Sequence, residues 1–305
     1  MANDVKKAKF TSTNVRMINW RRTLIQLGLQ IMGRIAPRRT REKIIQHFFA
    51  PSAYTTTPQE DQALKSGRRF MLRVHDKSIH GWQWGRGPQI LFVHGWNSRG
   101  IQFLPFFEQV MAAGYAVIVV DGPAHGESMG RTTNYFEYTD VVRSMIAAKS
   151  GFDIRGLVAH SLGAAAVINA LAHEAVAIDA VLIAPALRLK EILYNTAIRY
   201  GVPHWLFSSI LRRLEARFGY RLDRDNPVQV AARVRSRLLL IQDRDDAVTS
   251  LDDARELAET HSHIALRTTY GLGHLRILGD RAVVEGAVQF LIGDGYQPVA
   301  ALTSV

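Results

Sequence analysis

Leu157-Val158-Ala159-His160-Ser161-Leu162-Gly163-Ala164-Ala165-Ala166 decides how the rest of the chain is read. A short apolar run leads into His160-Ser161-Leu162-Gly163, and an alanine-rich run opens a helix immediately afterwards. A serine on so sharp a strand-to-helix turn has a strained backbone, so small residues are needed two positions before and after it. Ala159 and Gly163 supply them. The N-terminus of the following helix favours developing negative charge, and the backbone N–H of Leu162 points where an oxyanion would form. Taken alone, the stretch reads equally well as a buried serine at a helix start, so its neighbours must decide.

Working outward, the chain alternates short apolar runs with helix-length segments. The runs are 70–74, 79–84, 90–93, 116–120, 156–159, 181–183, 238–241 and 264–266. From 90–93 onward they are continuous rather than alternating, as expected for strands buried on both faces of a parallel sheet. Helix-like segments fall near 101–113, 135–149, 162–173, 251–260 and 281–292. This order predicts an α/β fold with a mostly parallel, doubly wound sheet, whose ligands bind at the carboxyl ends of the strands. One stretch breaks the rhythm. Between about 187 and 235 there are only two helix-like pieces, Leu189 to Tyr200 and Trp205 to Phe218, and a charged connection. An insertion of that kind at the carboxyl edge is expected to form a helical lid, with Leu187, Leu189, Ile192, Trp205, Phe207 and Ile210 suggesting an apolar acyl pocket. The expected division is therefore a basic N-terminal helical extension over 1–69 and a domain over 70–305 that carries the insertion.

The formal net charge of +11 invites a nucleic-acid reading. Its distribution argues otherwise. Residues 1–50 hold 11 basic and 2 acidic side chains, 51–187 hold 11 of each, 188–237 hold 11 and 4, and 238–305 hold 5 and 10. The basic charge thus belongs to the extension and the insertion, and no helix-turn-helix, zinc or RNP-like aromatic pattern accompanies it. No nucleic-acid partner is expected. In the extension a polar stretch bearing Lys6, Lys7 and Lys9 reads as a solvated tail. It is followed by Ile18, Trp20, Leu24, Ile25, Leu27, Leu29, Ile31, Met32 and Ile35 with Arg21, Arg22 and Arg34 among them. Gln26, Gly28, Gln30 and Arg34 interrupt the run, so it falls short of a membrane span. It also lacks a signal-peptide cleavage site, and Arg21-Arg22 resembles a twin-arginine signal only loosely. The favoured reading is a helix packed on the domain with a solvated basic face, and the second is an interfacial helix on anionic lipid. The corresponding expectation is a cytoplasmic protein with peripheral contact at the inner membrane surface. The chain has no cysteine, which removes disulfides, a thiolate nucleophile and cysteine-ligated metals.

The motifs that surround Ser161 lie just after strands. His94-Gly95-Trp96-Asn97 follows the run at 90–93, and the N–H of Trp96 is the expected second oxyanion donor. Asp121-Gly122-Pro123-Ala124-His125-Gly126-Glu127-Ser128 follows 116–120, Gln242-Asp243-Arg244-Asp245-Asp246 follows 238–241, and Tyr270-Gly271-Leu272-Gly273-His274 follows the last strand. Serine, acid and histidine occur in that chain order. Over roughly 70–292 the sequence resembles an α/β-hydrolase fold serine hydrolase of the esterase and lipase superfamily. It departs from the family's Gly-x-Ser-x-Gly in having Ala159 at the first glycine. The resemblance implies a catalytic triad of Ser161 as nucleophile, His274 as base and an aspartate that orients it, with an oxyanion hole from Trp96 and Leu162.

The family acid precedes a helix in a Gly-x-x-Asp-x-x-Val-Pro pattern. With Ser250 as helix N-cap, Asp246 is the acid; the alternative register takes Val248 as the family valine and makes it Asp245. Asp243 reads as a turn former. The reaction implied is cleavage of a small-molecule carboxylic ester through an acyl-enzyme, with thioesterase, amidase or acyltransferase chemistry as alternatives on the same machinery and a non-catalytic binding protein as a more distant one. No cofactor is needed and no metal is expected. His94 reads as structural, His125 and Asp121 as fixing a loop, His160 as lining the acyl site or packing, and His261 with His263 as an incomplete metal set.

Overall fold

The structure is a computed structural model and describes residues 12–293 except Ala175, with side chains from Thr23 onward. The lysine-bearing tail and the side chains of Ile18, Trp20, Arg21 and Arg22 lie outside the described residues. Contacts divide the chain into two compact units. One joins Met1–Phe48 to Glu191–Arg213, and the other joins Phe49–Lys190 to Leu214–Val305.

The helices are α1 (Ser12–Ile35), α2 (Pro37–Phe48), α3 (Pro58–Ser66), α4 (Leu104–Ala112), α5 (Tyr135–Ile146), α6 (Leu162–Glu174), α7 (Leu189–Arg199), α8 (His204–Phe218), α9 (Pro227–Val230), α10 (Leu251–Thr260), α11 (Gly273–Arg276) and α12 (Arg281–Ile292). The strands are β1 (Arg68–Val74), β2 (Lys77–Trp84), β3 (Gln89–Val93), β4 (Ala116–Val120), β5 (Ile154–His160), β6 (Asp179–Ile183), β7 (Leu238–Asp243) and β8 (Ile264–Thr269).

All eight strands belong to the larger unit and form one sheet in the order β1-β2-β4-β3-β5-β6-β7-β8. The pairings β1–β2 and β2–β4 are antiparallel, and every other pairing is parallel. The crossing of β3 and β4 puts β3 beside β5, so the turns that end them meet at one edge. The central strands carry continuous apolar runs because helices cover both faces; every residue of β4 is apolar and buried. At the edges the pattern loosens. β1 alternates toward solvent, and only Ile264 of β8 is fully buried, so that edge strand tolerates Arg267 and two threonines.

Local chemistry explains where the elements begin. Asn134 caps α5 by accepting the N–H groups of Phe136 and Glu137, and Ser250 caps α10 by accepting those of Asp252 and Asp253. Thr57 and Glu60 form a capping box on α3 with Pro58 at its first position. From Leu162 to Leu171 α6 is buried on all sides, and Ala164, Ala165, Ala166 and Ala170 let its neighbours approach closely. Under the sheet, Phe92 is fully buried against Phe103, Phe106 and Phe107, with ring centroids 5.2, 5.6 and 6.1 Å away.

In the smaller unit, Gly33 of α1 faces α8 so closely that a Cβ there would lie 2.8 Å from the Trp205 indole. Phe48 of α2 meets Phe207 edge-on at 4.9 Å, and Arg34 lies 5.5 Å over Trp205. No helix of the described residues is long and apolar enough to cross a membrane.

Truncating a fully enclosed ring leaves a cavity that the surrounding rings cannot fill. Phe92→Ala is expected to lower unfolding free energy by about 3–5 kcal/mol and Phe92→Leu by clearly less, measured by urea denaturation. Equal losses would contradict a rigid aromatic cluster at this place.

Candidate active site

Ser161 sits between β5 and α6 with φ of +52°, in the left-handed region that a side chain normally avoids. Three backbone hydrogen bonds hold it there. Its N–H donates to Ile183 O at 3.0 Å, and its carbonyl accepts from Ala165 and Ala186, both at 3.2 Å. Space is equally constrained. A Cβ on Gly163 would stand 2.4 Å from the carbonyl oxygens of both Val93 and His94, and one on Gly95 would stand 3.0 Å from Ser161 Cβ. The turns after β3 and β5 are therefore packed backbone to backbone.

His274 lies in the short α11, and its Nε2 is 3.0 Å from Ser161 Oγ while its Nδ1 is 2.8 Å from Asp246 Oδ2. Asp246 also accepts from Val248 N–H at 2.7 Å, Thr249 N–H at 3.1 Å, Thr249 Oγ1 at 2.7 Å and Gln242 Nε2 at 3.2 Å. Burial alone would raise its carboxyl. The hydrogen bonds from His274, Val248 and Thr249 outweigh burial and hold it well below the usual carboxylate range. It is thus ionised, so His274 Nδ1 carries the proton and Nε2 presents its lone pair to Ser161.

Asp245 is placed otherwise: it is exposed, and its Oδ2 accepts the N–H of Gly271 at 2.9 Å. Asp243 is fully buried and accepts from Asp245 N–H, Gly273 N–H, Leu272 N–H and Thr269 Oγ1. Burial would raise this carboxyl too, but those donors lower it. Asp243 thereby ties the acid turn to the loop that carries His274, a role beyond the turn former read from sequence.

Among the described residues neither the half-buried Trp96 nor Leu162 has an acceptor for its backbone N–H, the state required of oxyanion donors. Three buried histidines stitch the surrounding turns. His94 Nδ1 donates to Gly95 O at 2.7 Å and its Nε2 accepts from Gly122 N–H at 2.9 Å. His125 Nδ1 donates to Pro123 O at 3.0 Å and its Nε2 accepts from Asn97 N–H at 3.2 Å. His160 Nε2 donates to the carbonyl of His274 itself, at 2.8 Å, leaving Nδ1 buried without a partner among the described residues. No local sequence signal announces that bond, because its partners are 114 residues apart. Asp121 holds its loop from below, accepting from Arg99, Gly100 N–H and Glu127 N–H. His261 and His263 adjoin one another, but no group of three metal-ligating side chains converges among the described residues.

Burial, foremost, pushes all three histidines down from the ordinary value of 6.5: His94 well below it, His125 to about 4 and His160 to about 3. On acidification the unfolded chain takes up a proton at each near pH 6.5 while the native state does not, so stability falls as pH drops through that value toward the native ones. The urea midpoint is expected to decline between pH 7 and pH 5, and His125→Gln to remove about one proton from the slope. An unaltered slope in that variant would contradict a neutral His125.

Comparison with known proteins agrees with this frame. A model of the alpha/beta hydrolase family matches residues 90–287. The uncharacterised protein YqkD of Bacillus subtilis (strain 168) is 26% identical over 179 residues, or 56% of this chain, and the match spans only 59% of that relative's length. Among solved structures, esterase Pf2001 of Pyrococcus furiosus aligns with a TM-score of 0.59 at 21% identity, covering 79% of this chain and 96% of the other. Est1E from Butyrivibrio proteoclasticus aligns with a TM-score of 0.59 at 15% identity over 74% and 98%. The thioesterase domain from the curacin biosynthetic pathway aligns with a TM-score of 0.54 at 15% identity over 74% and 99%. At those identities the structures speak for the fold, and the sheet order, the turn at Ser161 and the family match together assign this chain to the alpha/beta hydrolase family.

Proposed function

We propose that the protein is a serine hydrolase that cleaves a small-molecule carboxylic ester through a covalent acyl-enzyme. The observation that carries this reading is the unbroken chain Asp246 Oδ2 to His274 Nδ1 and His274 Nε2 to Ser161 Oγ, ending on a serine held at positive φ. Ser161 Oγ attacks the ester carbonyl carbon as its proton passes to His274 Nε2, and ionised Asp246 stabilises the imidazolium. The tetrahedral oxyanion lies on the N–H groups of Trp96 and Leu162, aided by the N-terminus of α6. His274 then gives its proton to the departing alkoxide, and water, activated in the same way, releases the acid and restores Ser161.

The leaving group is not selected by these atoms, so thioester, amide and acyl-transfer substrates form the other arms of the assay. We also assign the insertion between β6 and β7 the role of a lid, supported by its start directly beyond Ala184, whose N–H bonds Ile241 O at the strand edge that holds Ser161.

Turnover of p-nitrophenyl esters of increasing chain length, beside matched thioester and anilide substrates, tests the proposal. Ester cleavage should dominate, and Ser161→Ala should lower kcat by about 10⁴-fold or more while leaving the circular dichroism unchanged. Retained hydrolysis in Ser161→Ala would overturn it. The two acid registers separate in the same assay. Asp246→Asn is expected to cost about 10³–10⁴ in kcat through loss of the correct His274 tautomer, whereas Asp245→Asn should stay within a few-fold of wild type. Near-normal turnover by Asp246→Asn would contradict the assignment.

A further inference from the structure

Helix α1 is packed on one side and bare on the other. At 100° per residue, Leu24, Ile25, Leu27, Ile31, Met32 and Ile35 fall within an arc of about 160°. All six are exposed, Ile35 by 74%, while Gly33 on the opposite side closes against Trp205 of α8. Soluble surfaces seldom leave so long an aliphatic stripe uncovered. The stripe continues at Ile25 into a groove of about 440 Å³, where Leu29, Ile44 and Phe48 supply apolar walls and Lys43 a cation. Tyr200, 67% exposed, stands at this groove with its phenol available to an interface.

Charge identifies the occupant. Arg34 at the edge of the stripe, Lys43 at the groove, and Arg38 and Arg39 in the first turn of α2 are exposed, and no acidic side chain pairs with them among the described residues. Residues 1–50 carry 11 basic against 2 acidic side chains. A second copy of the same face would set like charge on like charge, which disfavours self-association through it. An anionic bilayer meets both demands, since its headgroups take the cations and its acyl boundary takes the aliphatic face. We propose that this unit docks on an anionic phospholipid surface, with Leu24, Ile31 and Ile35 at acyl-chain level and the cations of α1 and α2 on the headgroups. Helix α1 is not apolar enough to cross the bilayer, so the attachment is interfacial and reversible. None of the residues of this surface belongs to the Ser161 site, and the proposal does not depend on the activity.

The test is cosedimentation of the full chain with vesicles of phosphatidylcholine alone or mixed with phosphatidylglycerol, at low and high salt. Binding should be about tenfold stronger or more to the anionic vesicles and fall as salt screens the headgroups. Ile31→Asp combined with Ile35→Asp should weaken it by about tenfold or more, and Arg38→Gln combined with Arg39→Gln should reduce the preference for phosphatidylglycerol. Hydrolysis of a soluble ester should be unchanged in both. Independently, the emission of a Leu24→Trp variant should shift to the blue on adding anionic vesicles. The proposal is overturned if the wild type does not bind, binds both vesicle types equally, or binds undiminished after the Ile31 and Ile35 substitutions. A vesicle-insensitive Leu24→Trp emission overturns it too, as does a dimer in light scattering that those substitutions dissociate.

Discussion

The contact on which the site depends is the close approach of two backbones, the turn after β3 and the turn after β5. Gly163 lies where any Cβ would strike the carbonyls of Val93 and His94, and Gly95 lies against Ser161 itself. That approach keeps Ser161 at a φ that costs about 1–3 kcal/mol in isolation. It also sets Gly95, which Trp96 follows in the chain, against Ser161, which Leu162 follows. The sheet order makes the approach possible, because only the exchange of β3 and β4 sets β3 next to β5. Strain at the serine is thus sustained by a topology of buried apolar strands around it.

Around this contact the protein uses neutral histidines and ionised aspartates for different ends. His94 and His125 each donate through Nδ1 and accept through Nε2, so each satisfies one carbonyl and one N–H while carrying no charge into the interior. Asp243 and Asp246 carry charge, but each is surrounded by donors that make the ionised form the cheaper one. The two aspartates divide the work within one turn. Asp243 fixes the loop bearing His274, and Asp246 fixes the imidazole. His160 adds a third hold on the same residue through its carbonyl.

Much of this was legible in the residues, and the reasons are local. The eight apolar runs became eight strands; in the central ones burial on both faces leaves no room for alternation, and the edge strands β1 and β8 depart from that rule where one face meets solvent. Ser250 as an N-cap set the register in which Asp246 meets His274, and α10 begins there. Other features have no local trace. The bond from His160 to the carbonyl of His274 and the gathering of α1 and α2 with residues 191–213 into one unit arise from contacts between distant segments. Charge counting located the basic residues in the extension and the insertion, but only the structure distinguishes the face of α1 that packs from the face that does not.

In the proposed mechanism Ser161 is the hydroxyl that the His274 imidazole activates. Reaction with a fluorophosphonate at neutral pH, followed by peptide mass mapping, reads this out, because the reagent modifies a serine only where a base and an oxyanion site act together. A single phosphonyl adduct is expected on the peptide that contains Ser161, and none in Asp246→Asn over the same interval. An unmodified protein, or an adduct on any other residue, would contradict it.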